Sequence, residues 1–210
     1  MTVAKYEERL EQNLHDLSDR VHTGRYRPEA VRRGYIPKAD GGKRPLGVPT
    51  LEDKIVQCAV AEVLSAVYEA DFCGFSYDFR PGRNSHMALD ALHTATMSQR
   101  VNFWVLYANI RSFFDSVDHE WLLQMVVYRI ADPRILQLIK LLLRAGILQS
   151  GETYETDKGD SQGAGISPLL ANIFLHYILD LWVHQWRRRY RNGQLADPLF
   201  RSRSQWLHQA

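Results

Sequence analysis

YANIRSFFDSVDHEWL, residues 107–122, is the stretch on which the reading turns. It continues an apolar, β-prone run, VNFWVLY at 101–107, that fits a buried strand. The strand ends at a polar residue, Asn109, then meets two aromatics and several acids. A strand end is a rigid mount for metal ligands or for a substrate. Asp115 and Asp118 lie in this turn. Asp118 can equally cap the helix that starts near His119, and Asp115 can be a turn residue.

Downstream, residues 119–130 and 133–144 read as two helices, the second opened by Asp132-Pro133 and closed by Gly146. Residues 147–158 suit a short hairpin. The segment KGDSQGAGISPLLANIFLHYILD, 158–180, surrounds Gln162 with small residues, so its backbone can approach a ligand closely. Ser167-Pro168 starts a long helix with Leu169, Leu170, Ile173, Phe174, Tyr177, Ile178, Leu181 and Trp182 on one stripe. After Arg191 no hydrophobic period survives.

Upstream, Leu10, Leu14, Leu17 and Val21 predict one amphipathic helix over 4–22. Asp40-Gly41-Gly42 predicts a hairpin within 31–49, its strands held to an edge or irregular role by Pro37 and Pro45. Thr50, as N-cap, precedes a helix with Ile55, Val56, Ala59, Val60, Val63, Leu64, Val67 and Tyr68 on a wide stripe. Residues 72–84 are loop-like, and a helix is expected near 85–98.

Composition bounds the rest. The chain has 210 residues, 45% hydrophobic and 24% charged, which excludes a disordered or collagen-like protein. Net charge is only +2, yet eight Lys/Arg crowd residues 20–44 against Glu29 and Asp40, and six Arg crowd 187–203 against Asp197. Such blocks form either a phosphate-binding face or a solvated surface. Cys58 and Cys73 have no metal-ligand spacing or disulfide framework, so a reducing cytoplasm is expected. No apolar run reaches the ~18 residues of a membrane span, and the N-terminus lacks a signal-peptide pattern.

Four segments in order, YRPEAVRRGYIPKADGGKRPLGVPTLEDKIVQ (26–57), FSYDFRPGRNSHMAL (75–89), IRSFFDSVDHEWLL (110–123) and QGAGISPLLANIFLHYILDLW (162–182), resemble the reverse transcriptases encoded by group II introns, also called maturases. The resemblance implies a helix-rich α/β (α+β) fold, the fingers and part of the palm of a right-hand polymerase, with an incomplete antiparallel palm sheet. It divides the chain into an N-terminal helix and fingers at 1–98, a partial palm at 99–193, and an aberrant, disordered tail at 194–210. It implies RNA-directed DNA synthesis from an RNA template and a DNA primer, with Mg²⁺ as cofactor. Lys38, Arg44, Phe114 and Gln162 would meet the incoming nucleotide, Phe114 as the gate against a ribose 2′-hydroxyl. Lys38 and Arg44 could instead be ordinary hairpin surface. Arg32, Arg33 and Lys43 would contact RNA, and Arg80, in the FRPG motif, is either structural or RNA-binding.

Three departures from the family pattern bear on activity. Asn109 occupies the position of a metal-binding aspartate, and an amide offers a neutral oxygen where the family has a carboxylate. That costs roughly several kcal/mol in the transition state, more than about 10³-fold in rate. No Tyr-Ala-Asp-Asp run occurs in these residues, as in a chain truncated before it by a frameshift. The turn that reads Thr-Pro-Gln-Gly-Gly-Val in the family is Asp160-Ser161-Gln162-Gly163-Ala164-Gly165 here. The expectation is lost Mg²⁺ binding and either an inactive polymerase domain or a non-catalytic RNA-binding remnant.

Overall fold

The computed structural model describes residues 3–37, 41–98, 108–110, 113–145, 147–149, 152–154 and 165–191. Helices dominate. In chain order they are α1 (Val3–Glu7), α2 (Leu10–His22), α3 (Leu51–Tyr68), α4 (Ser85–Met97), α5 (Phe113–Ser116), α6 (His119–Val127), α7 (Pro133–Leu143), α8 (Ser167–Leu175) and α9 (Leu181–Arg191), with a π-helical turn, His176–Asp180, joining the last two. The strands are β1 (Val31–Pro37), β2 (Lys43–Val48), β3 (Ile147–Gln149) and β4 (Glu152–Tyr154). They form one sheet in the order β2-β1-β3-β4. Both hairpins are antiparallel, and β1 meets β3 in parallel through Val31↔Ile147 and Arg32↔Leu148.

The predicted hairpin at 31–49 forms with Ile36 opposite Arg44 and Pro37 opposite Lys43. Pro45 lies in β2, an edge of this sheet and opposite Tyr35, the kind of strand in which proline is tolerated. The expected strand at 101–107, Gly146 and Lys38–Asp40 lie outside the described residues.

Caps start the helices where the sequence places them. The Thr50 hydroxyl accepts from Asp53 N at 3.3 Å. Asp118 accepts from Glu120 N and Trp121 N at 3.0 and 3.1 Å, and Asp132 from Arg134 N at 2.8 Å. Each such cap contributes about 1 kcal/mol.

The long N-terminal helix is in fact two. Arg9 leaves helical geometry (φ −135°, ψ 43°), and the Tyr6 carbonyl accepts from Arg9 N at 3.3 Å and from Asn13 Nδ2 at 2.9 Å. Of its stripe, Leu17 is buried while Leu10 and Leu14 are exposed. The core gathers Leu17, Tyr26, the α3 row Val56, Val60, Leu64 and Tyr68, then Phe72, Leu122, Val126, Ile139, Leu143, Leu170 and Ile173. Burying each large apolar side chain contributes about 1.5–3 kcal/mol. The α3 stripe is narrower than expected. Ala59 and Val63 face solvent, and the inward row is extended by two polar residues, Asp53 and Gln57.

The π-helical turn explains why the last stripe drifts. An extra residue in one turn rotates every later side chain around the axis, so Ile178 is exposed while His176 is buried.

Candidate nucleic-acid and nucleotide site

The β1–β2 hairpin stands on a polar root. Tyr26 Oη donates to buried Asp53 Oδ1 at 2.5 Å, Thr50 Oγ1 donates to Oδ2 at 2.7 Å, and Glu29 N donates to Oδ2 at 3.2 Å. Burial, then the Asp53 carboxylate, pushes the Tyr26 phenol far up, so it stays a donor. Beside it, Arg20 bridges Asp16 at 2.8 Å and Glu52 at 2.7 Å, tying α2 to α3. These contacts fix the angle at which the hairpin leaves the body.

Along the hairpin, residues directly opposite share a face. Arg32 therefore lies on the face of Ile36 and position 44, while Arg33 and Lys43 lie on the other. Arg32 and Lys43 are exposed, and Arg33 is half-buried. The basic stretch is thus split between two surfaces. Arg44 is placed by its backbone alone, and Lys38 lies outside the described residues.

At the expected metal position, Asn109 is exposed in the segment 108–110. Phe114 is half-buried on α5, its ring 5.5 Å from Phe113, which meets Phe174 at 6.0 Å. A core contact through Phe113 leaves Phe114 partly open. Asp118 is a helix cap, as its alternative reading has it. Gln162 lies outside the described residues; three positions on, the Gly165 N–H donates to Gln57 Oε1 at 3.0 Å. Gln57, buried and 108 residues away in sequence, carries no local signal of this role.

Of the two readings given for Arg80, its contacts favour the structural one. It is buried, and its guanidinium donates four hydrogen bonds: to Glu69 Oε1 and Oε2 at 2.6 and 3.1 Å, and to the Cys73 and Ser76 carbonyls at 2.8 Å each. It also lies 5.2 Å from the Phe72 ring centroid. With four bonds made inside the chain, Arg80 folds the 72–84 loop onto the end of α3. Its hydrogen bond holds the Glu69 carboxyl below the usual range.

Among the described residues no donor set for a two-metal centre is assembled. Mg²⁺ calls for anionic oxygens in octahedral array. Asn109 offers a neutral amide, and among the described residues no three His, Cys, Asp or Glu side chains cluster to hold a metal. Among those residues, too, no helix is long and apolar enough to cross a membrane.

Comparison with known proteins agrees with the motifs. The family model described as reverse transcriptase (RNA-dependent DNA polymerase) matches residues 36–197. Protein YkfC of Escherichia coli is 38% identical over 188 residues, covering 89% of this chain and 48% of the relative. The group II intron-encoded protein LtrA of Lactococcus lactis is 38% identical over 185 residues, covering 88% of this chain and 30% of LtrA. The chain therefore spans less than half of either relative. A solved partial Cas6-RT-Cas1–Cas2 complex shares the fold at TM-score 0.50 and 23% identity, over 87% of this chain and 33% of that one. With most of its length inside that family model, the chain belongs to the reverse transcriptase (RNA-dependent DNA polymerase) family.

Proposed function

We propose that these 210 residues are the fingers and part of the palm of a group II intron reverse transcriptase, and that alone they bind RNA without extending a primer. The observation that carries the second half is Asn109, a neutral amide where the family holds a metal with an aspartate. The described residues supply no replacement carboxylate cluster. In the family, Mg²⁺ supplies charge stabilisation for nucleotidyl transfer. This chain's own contribution is positional: the Asp53 network sets the hairpin, and Gln57 holds the turn before α8. The basic hairpin supplies phosphate contacts through Arg32 on one face and Arg33 with Lys43 on the other.

Primer extension on a primed RNA with Mg²⁺ and deoxynucleotides tests the reading. No product above background is expected, from the chain or from Asn109→Asp, because one restored carboxylate does not build a site for two ions. Templated product from either protein refutes the inactivity. RNA binding is read separately by filter titration against salt. About four phosphate contacts give a slope of roughly −3 in log K against log salt for a single strand. Charge reversal at Arg32, Arg33 and Lys43 should flatten it, and an unchanged slope removes the hairpin from the interface.

A further inference from the structure

The outer face of α6 presents aromatic side chains to solvent in a spacing that reads the same in both directions. Trp121 is 51% exposed and Tyr128 77%. They stand seven residues apart, two helical turns, so both lie on one face about 10 Å from each other. Tyr128 is the C-cap of α6 and keeps helical geometry (φ −59°, ψ −26°). Its ring is backed by Tyr177 of the π-helical turn, with centroids 5.9 Å apart. Gln124, exposed, and Met125, half-buried, occupy the midpoint, and Val127 is exposed at the edge of the row. Leu122 and Val126, on the opposite face of the helix, are in the core, so the row points away from the body.

Burying a whole Trp or Tyr side chain removes about 150–250 Å² from water, so this row leaves on the order of 300 Å² of apolar surface open, the size of patch that marks an interaction site. Trp and Tyr are also the residue types that dominate binding energy at protein interfaces. The exposed positions Glu120, Trp121, Gln124, Val127 and Tyr128 include no Lys or Arg, so a nucleic acid finds no phosphate partner on them. Charge lies at the two ends instead. Exposed Glu120 precedes Trp121, and Arg129, bridged to Asp71 at 2.7 Å with 46% of its side chain open, follows Tyr128.

We propose that the occupant of this row is a second copy of the chain, its α6 laid antiparallel on the first about a twofold axis between Gln124 and Met125. In that arrangement Trp121 of each copy meets the partner's Tyr128, an aromatic pair made twice. The Glu120 end of one helix then lies by the Arg129 end of the other, whereas a parallel pair sets like charges together. A partner of different sequence requires no such reversible spacing. The two copies together contribute on the order of 600 Å² of apolar core, against about 1,200–2,000 Å² for a stable interface, the remainder falling to the polar rim. Self-association is therefore weak, in the range of about 1–100 µM. This pairing goes beyond the RNA-binding reading and does not depend on it.

The test is sedimentation equilibrium of the full 210-residue chain across about 1–100 µM. The average mass should climb from that of one chain towards that of two. Trp121→Glu and Tyr128→Arg should each weaken self-association about 30-fold or more, the loss of one aromatic anchor. Mixing the two variants tests the register. A mixed dimer keeps one Trp121–Tyr128 contact and sets an acid against a base at the other. The mixture should therefore associate at concentrations where each variant alone is monomeric, and that recovery also shows that both variants fold. A wild-type chain still monomeric at about 100 µM, or association unchanged in both variants, overturns the surface. Variants that dissociate and do not recover on mixing overturn the antiparallel pairing.

Discussion

Replacing Arg80 separates a structural arginine from an RNA-binding one. Arg80→Ala leaves the Cys73 and Ser76 carbonyls without their donor, at about 1 kcal/mol each. It removes the contact with Phe72, about 0.5–1 kcal/mol. Glu69 loses its partner too, but its side chain is 35% exposed, so water takes over much of that charge and little is added. The expected loss is about 3 kcal/mol, a large share of the ~5–15 kcal/mol that holds a domain folded. Arg80→Lys keeps a charge but not the planar fork, and should lose about 2 kcal/mol. Urea unfolding followed by circular dichroism reads both. With m near ~2 kcal/mol per molar, the Ala midpoint falls by about 1.5 M. Acid gives a second reading. Glu69 has a depressed folded pKa, so the pair's stabilisation is full above the unfolded carboxylate range and is lost as pH falls through the folded value. The gap between wild type and Arg80→Ala should narrow there. A stability loss under about 0.5 kcal/mol, together with a tenfold loss of RNA affinity, would refute the structural assignment.

His176 gives a pH signature. Burial pushes its pKa down, against the pull of Asp180 at 3.9 Å. It is therefore neutral in the fold, and the unfolded chain binds the extra proton first. Stability should fall as pH drops below about 6.5 towards the depressed folded value, and His176→Gln should abolish that step in urea midpoints measured from pH 7.5 to 5. Phe79 has φ +48°, and Phe79→Gly should raise stability by about 1 kcal/mol through relief of the left-handed backbone, read as a higher thermal midpoint; a lower midpoint would mean that the ring packs on something the loop needs.

The parts of the fold legible in the sequence are those written by neighbours in the chain. Thr50, Asp118 and Asp132 cap helices through amides two or three residues on, and the 31–48 hairpin pairs about a turn that its own glycines mark. The features that escaped depend on partners far away. Asp53 and Gln57 are absent from the apolar stripe expected for α3, yet they extend its inward row, because Tyr26 and Gly165 arrive from 27 and 108 residues away to satisfy them. The π-helical turn leaves no local mark either, and it moves Ile178 off a face that simple helical spacing assigns to it.

The same distinction sorts the candidate site. Motif residues whose polar groups are consumed inside the chain, Arg80 above all, build the scaffold, whatever motif they sit in. Those the fold leaves open, Asn109, Arg32, Lys43 and the outer part of Phe114, are accessible to a ligand. Asn109 is the decisive member of that set, because it is open and yet chemically wrong for a dication. An exposed amide can still accept a hydrogen bond from a nucleotide or a base. On the proposed reading, the geometry that presents it outlasts the charge an aspartate would bring there, and binding and turnover separate at this one residue.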